Sequence, residues 1–219
     1  MNTTIGNDLI DLGAAHNRGR ADQAKFLARI LTAAEQAQMA AQHAGDLGFA
    51  RLWSAKEAAY KAAKKHQPAL VFAPRRWQVA IDALDDPATE LDGQVRIDPD
   101  TRVNVHWRLG PGWLHCIAVL GPAPGELAQA VAACAEPAPE AVFSAREREG
   151  FSRGESAGVR TLAKRLLRQH GIDGVEILRP VDGQTRLPPR VFAHGQPLPD
   201  LDISLSHDGA WLAAVIALA

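Results

Sequence analysis

Trp53-Ser54-Ala55-Lys56-Glu57-Ala58-Ala59-Tyr60-Lys61-Ala62 is the stretch on which the reading of this chain turns. It is rich in alanine, lysine and glutamate, and no glycine or proline interrupts it, so it predicts a helix. At 3.6 residues per turn, Trp53, Glu57 and Lys61 fall four apart on one face. An aromatic ring, a carboxylate and an ammonium are then stacked in one row, with Lys56 and Tyr60 in a second row beside it. Read alone, the spacing also describes a solvated helix, where a Glu–Lys pair four apart contributes about 0.3–0.5 kcal/mol. The two ends of the chain give the face a chemical meaning.

Upstream, Thr4 to Leu12 reads as a short buried strand with acids at its end. Asp8 sits among Ile5, Leu9 and Ile10, where an ionised carboxylate needs a partner. A turn or helix-capping aspartate is the plainer reading of the same residue. Downstream, Leu201 to His207 alternates as a strand, Asp208-Gly209 turns the chain, and a last strand starts at Trp211. No Gly-x-Ser-x-Gly surrounds Ser206, which argues against a hydrolase nucleophile there.

The combination of Gly6-Asn7-Asp8, Trp53-x-x-Lys56-Glu57-Ala58-x-x-Lys61 and Leu205-Ser206-His207 resembles the 4'-phosphopantetheinyl transferase superfamily. That family has two main builds. One is a short trimerising lobe, the holo-acyl-carrier-protein synthase type. The other is a two-lobe pseudodimer, the surfactin-synthetase-activating type, in which the lobe with Ser-His normally comes first. Here the order looks reversed, as if circularly permuted. Residues 1–120 carry the Gly-x-Asp and Lys-Glu-Ala motifs. Residues 140–219 carry Phe143-Ser144, Arg160-Thr161, the Asp182-Gly183 turn and Ser-Leu-Ser-His. Gly121 to Pro139 is rich in proline, glycine and alanine and reads as the linker, with a helical turn near Glu126 to Cys134.

The expected fold is therefore α+β, two similar lobes about a pseudo-twofold axis, each an antiparallel sheet packed against helices, with a cleft between them. An internal echo points the same way. Trp113 to Leu120 and Trp211 to Leu218 both follow a glycine turn and an alternating strand.

The resemblance implies a reaction: the phosphopantetheine arm of coenzyme A moves to a serine of an apo acyl, polyketide or peptidyl carrier protein, and adenosine 3',5'-bisphosphate leaves. Asp8 and Glu57 are then the ligands of Mg²⁺, a cation that binds through one or two carboxylates plus phosphates and water. Glu57 is also placed to take the serine proton. Lys61 would stabilise the leaving group. Lys56 is either structural or part of the phosphate shell. Ser206 and His207 would donate to phosphate oxygens. Arg160 and Thr161 match a pair that the family uses near the nucleotide, with Arg148, Arg153 and Arg186 as weaker candidates. Arg18, Arg20 and Arg51 are candidate contacts for an acidic carrier surface.

One departure concerns the metal. The two-lobe type usually reads Gly-x-Asp-x-Glu, and position 10 here is Ile. Asp11 matches the acid of the short type, yet on a regular strand it points away from Asp8. The third ligand is therefore Asp11 or water. Ile10 also leaves open a relative that binds coenzyme A or a carrier without transfer.

Composition sets the outer bounds. A chain of 219 residues can bury a substantial core, and its net charge of −1 offers no global basic field for nucleic acid. Cys116 and Cys134 make neither a disulfide framework nor a metal-binding spacing. A reduced, cytoplasmic setting is expected, with no signal pattern at the start and no apolar run long enough for a bilayer. The pseudodimer build implies a monomer.

Between the motifs, Thr32 with Glu35 three residues on spells a capping box, so a helix is expected to start there. Strands are expected over Arg76 to Ile81, Val95 to Ile97 and Val103 to Trp107, with Asp85 to Gly93 as turn. Ser156 to His170 reads as a helix ended by Gly171.

Overall fold

The computed structural model describes residues 3–134, 143–151, 154–183 and 185–219. In chain order its elements are β1 (Thr4–Asp11), α1 (Ala24–Ile30), α2 (Ala33–Ala41), α3 (Asp46–His66), β2 (Gln78–Ala80), β3 (Glu90–Arg96), β4 (Arg102–Gly110), β5 (Trp113–Leu120) and β6 (Glu126–Ala133). There follow α4 (Ala145–Glu149), α5 (Gly154–Gln169), β7 (Glu176–Leu178), β8 (Val181–Asp182), β9 (Thr185–Arg186), β10 (Arg190–Ala193), β11 (Gln196–Pro197), β12 (Leu201–Asp208) and β13 (Trp211–Leu218). The strand pairs are antiparallel throughout the described residues, and the fold is α+β.

The first sheet has the order β1-β5-β4-β3-β2, and α3 lies against β1 and β5. The alanines of α3 set the distance. Ala55, Ala58, Ala59 and Ala62 are fully buried, and small side chains let the helix backbone settle onto the strand. Gly6 is the other half of that contact, because a methyl there would overlap the Ala58 carbonyl oxygen. Leu52, Leu84, Val95, Val103, Trp107 and Leu114 fill the core around it, each contributing about 1.5–3 kcal/mol by burial.

The second half holds two three-stranded sheets, β12-β13-β6 and β11-β10-β7, with β10 lying next to β12. Helix α5 packs on β13, β12 and β6, around a core of Ala163, Leu167, Ile177, Val191, Ile203 and Ile216.

One polar device occurs in both halves. The Thr32–Glu35 capping box opens α2, and the same Glu35 accepts from Lys56 Nζ (2.6 Å) and from the Val79 N–H (2.8 Å). The Ser144–Glu147 capping box opens α4, and Glu147 accepts from Lys164 Nζ (2.7 Å) and from the Ile177 N–H (2.9 Å). Each glutamate thus ties a short helix, a long helix and the first strand after it. Both are buried, where an unpaired carboxylate would be costly.

β1 runs beside β12 of the other half. The backbone N–H groups of Ile5, Asn7, Leu9 and Asp11 donate to side chains of Asp202, Ser204, Ser206 and Asp208, at 2.8, 2.9, 3.2 and 2.8 Å. Alternate residues of one strand meet alternate residues of the next, so side-chain oxygens take the place of a backbone ladder. Ile5, Ile117, Val215 and Ala217 make a small apolar core between the halves. Lys65 clamps it, donating to the Ile5 and Ile203 carbonyls and to Asp202.

Several elements differ from expectation. The helical turn expected near Glu126 to Cys134 is instead strand β6, because the open edge of β13 takes it up across its full length. That strand begins within the stretch read as linker, whose last residues, 135–139, lie outside the described ones. Helix α3 runs from Asp46 to His66, beyond both ends of the stretch Trp53 to Ala62, and β3 starts at Glu90, inside the stretch read as turn.

Candidate active site

The Gly6–Ala58 contact places β1 and α3 so closely that Asp8 and the Glu57–Lys61 row share one space. Asp8, Glu57, His207 and Asp208 line a cavity of about 300 Å³ between the two halves. Its other wall is apolar, with Phe26, Phe49 and Trp53 in series at ring separations of 5.6 and 6.5 Å. Three of the sequence-derived site residues, Asp8, Glu57 and His207, therefore come to one place from β1, α3 and β12.

Lys61 reaches the same spot from one turn further along α3. Its Nζ donates to Asp8 Oδ1 (2.9 Å) and to the Asn7 carbonyl (2.8 Å). Ser206 approaches Asp8 from the other half, its Oγ donating to Asp8 Oδ1 (3.3 Å). Burial pushes the Asp8 carboxyl above its usual range, against the pull of Lys61 and Ser206, and the nearby charge of Asp208 adds to the rise. Burial likewise raises Glu57 to about 7, reinforced by the charge of Asp8 and opposed by Lys61.

Two carboxylates that burial makes costly to ionise, facing one cavity, fit a hard divalent cation with oxygen ligands. Among the described residues no group of three or more His, Cys, Asp or Glu side chains converges to hold a metal. Asp8 and Glu57 are the two oxygen donors this cavity offers to such a cation. Asp11 is removed as the third. Its Oδ1 accepts from the N–H groups of Gly13 (2.8 Å) and Ala14 (3.1 Å), and its Oδ2 from that of Ala210 (2.8 Å).

Other expectations are corrected. Lys56 is fully buried, and its three N–H donors go to Glu35, the Ile30 carbonyl and the Pro74 carbonyl, so it is structural and no phosphate can reach it. Ser206 spends its proton on Asp8 and does not line the cavity. Arg51 is buried, with its guanidinium on the carbonyls of Leu84, Asp86 and Ala88, so it cannot meet a carrier.

Arg160 and Thr161 are not brought to this cavity. Arg160 donates to the carbonyls of Ile177 and Ser156 and stands over the Phe151 ring, while Thr161 Oγ1 donates to the Ala157 carbonyl. Arg160 lines a separate cavity of about 380 Å³ with Arg146 and Arg179. Burial, and then the charges of Arg179 and Arg186, lower its pKa. Arg148 is exposed on α4, and Arg153 lies outside the described residues. Arg20 does line the first cavity, with its guanidinium over the Phe26 ring, and Arg18 is exposed nearby.

Sequence reasoning missed part of the site. His16 and Asn17, in a short 3-10 turn over Ala15–Asn17, both bond Asp208 and line the cavity. A signal for the seam was present: Asp202-x-Ser204-x-Ser206-x-Asp208 puts polar groups on one face of a strand that the other half would have to meet.

No curated protein and no solved structure matches the chain. A sequence model of the 4'-phosphopantetheinyl transferase superfamily does match, over residues 4–115. That span runs from β1 to β5 and holds Asp8, Glu57 and Lys61. The chain belongs to the 4'-phosphopantetheinyl transferase superfamily.

Proposed function

We propose that this protein transfers the 4'-phosphopantetheine arm of coenzyme A to a serine of an apo acyl, polyketide or peptidyl carrier protein, with Mg²⁺, and releases adenosine 3',5'-bisphosphate. It does so as a cytoplasmic monomer. The observation that carries this reading is the meeting of Asp8 and Glu57 from one half with His207 from the other in a single cavity.

Asp8 and Glu57 would hold Mg²⁺, which would supply charge neutralisation at the diphosphate and in the transition state. Lys61 fixes Asp8 through one bond and keeps an N–H for a phosphate oxygen on the leaving side. His207, exposed on the opposite wall, donates to a phosphate oxygen from across the cleft. The wall of Phe26, Phe49 and Trp53 excludes water beside these charges, which strengthens them. Ser206 holds Asp8 in register with β12.

The test is to incubate the protein with coenzyme A, Mg²⁺ and a panel of apo carriers, and to look by intact-mass spectrometry for one phosphopantetheine arm on the carrier serine. The expected result is transfer to at least one carrier, abolished by chelation of Mg²⁺ and slowed about 100-fold or more by Glu57→Gln. Coenzyme A binding with no transfer to any carrier would sink the proposal.

A further inference from the structure

We propose that His16, oriented by Asp208 of the opposite half, accepts the proton of the carrier serine. This rests on the transferase reading above, and it adds two residues that the family motifs do not include.

The geometry is that of a base held by a third group. His16 Nε2 lies 2.9 Å from Asp208 Oδ1. A carboxylate can only accept, so Nε2 carries the hydrogen and the neutral ring keeps its lone pair on Nδ1. Asp208 cannot swing away, because its Oδ2 accepts from the Asp11 N–H (2.8 Å) and from Asn17 Nδ2 (2.6 Å). The Asn17 bond already fastens the 3-10 turn to the other half, so the imidazole is not needed as a strap. A nucleophile activated by a base that a carboxylate orients is a recurring arrangement.

Position also favours His16. It lines the cavity with Asp8, Glu57 and His207, and its side chain is 56% exposed. The serine arrives on a macromolecule and must come from the solvent side, where His16 stands. Glu57 is more deeply placed than His16, beside the like charge of Asp8. The other charged groups about His16 are Arg20, whose Nε donates to the His16 carbonyl, and Asp46 across the same cavity.

The step balances within these groups. As the serine Oγ–P bond forms, the hydroxyl proton passes to His16 Nδ1. The bond from that phosphorus to the bridging oxygen breaks, and its electron pair leaves on adenosine 3',5'-bisphosphate. Asp208 stabilises the imidazolium, which then returns its proton to solvent.

The experiment compares wild type, His16→Ala and Asp208→Asn in the full chain, at saturating coenzyme A, Mg²⁺ and an apo carrier that the wild type modifies. His16→Ala is expected to lower kcat about 100-fold or more, with coenzyme A affinity within about twofold, and added imidazole is expected to restore part of the rate. Asp208→Asn is expected to fall less. In ligand-free wild type, nitrogen chemical shifts are expected to show the Nε2–H form of His16. A His16→Ala rate within about threefold of wild type overturns the proposal. So does a loss that imidazole leaves unchanged, or an Nδ1–H ring. Absence of transfer by the wild type on every carrier would instead remove the transferase reading, and this one with it.

Discussion

Lys56 and Lys61 sit on one helix, five positions apart, and meet opposite fates. Lys56 is sealed against Glu35, while Lys61 is 30% exposed beside Asp8. Substitution should separate the two roles. Lys56→Met leaves the Glu35 carboxylate buried without its cation and should cost about 3–5 kcal/mol in urea unfolding. The protein that remains folded should transfer normally. Lys61→Ala, a part-exposed side chain whose partner Asp8 keeps the Ser206 bond, should cost less than Lys56→Met and lower transfer about 100-fold. If Lys61→Ala transfers at the wild-type rate, its place on the leaving side is wrong. The sequence shows the row Trp53, Glu57, Lys61 plainly, because helical spacing is local. It leaves Lys56 undecided, since the partner that captures it lies 21 residues away on another helix. Arg51 looked available for the same reason: a charged residue is assumed to face water until loop carbonyls are seen to take it.

At the scale of elements, the repeated capping glutamate is the most informative unit. Thr32→Ala and Ser144→Ala remove the same bond from each half and should each cost about 1 kcal/mol. Similar losses in thermal unfolding would show that the two devices are equivalent, and a tenfold disparity between them would show that they are not. Gly6→Ala should be far worse than a helix-propensity argument allows, since β1 must back away from α3 to admit a methyl. Loss of about 3 kcal/mol or more, with activity lost together, is the expected outcome in paired unfolding and transfer assays. The helices α2 and α3 and the hairpins β4–β5 and β12–β13 were legible because capping, spacing and alternation are written locally. Strand β6 was not. Its alanines favour helix, and only the vacant edge of β13, some eighty residues on, makes it extended. The second capping box has the same spelling as the first, but it opens a helix of five residues after a proline-rich stretch, where the pattern carries little weight.

For the whole molecule, the seam between the halves fixes how stability responds to pH. His115 is fully buried there, between Asn7 (3.0 Å) and Gln129 (3.1 Å). Burial lowers its pKa to about 4, the Gln129 bond opposing, while the unfolded chain titrates near 6.5. Between these values the unfolded state binds a proton that the folded state refuses. This contribution is therefore complete above pH 6.5 and fades as pH falls toward 4, by about 3 kcal/mol. Urea unfolding of wild type and His115→Gln at pH 7 and pH 4.5 should show it as a difference, the wild type losing about 3 kcal/mol more than the variant, because Glu57, whose raised pKa favours the folded state as pH falls, acts alike in both. A wild-type-to-variant difference that stays constant over that range would place His115 outside the seam. Because the halves share buried contacts, heating should give one transition for the whole chain rather than two.

The evenly spaced bonds from β1 to β12 also limit what kinds of genetic change this molecule tolerates. A single codon inserted or deleted within either strand would slide every rung on one side of it by one. Ile203 and Leu205 would then oppose the amides that now find oxygen, and Asp8 would lose Ser206 in the same stroke. Point changes along the seam can be absorbed one rung at a time, whereas a frame-preserving indel strikes several of them together.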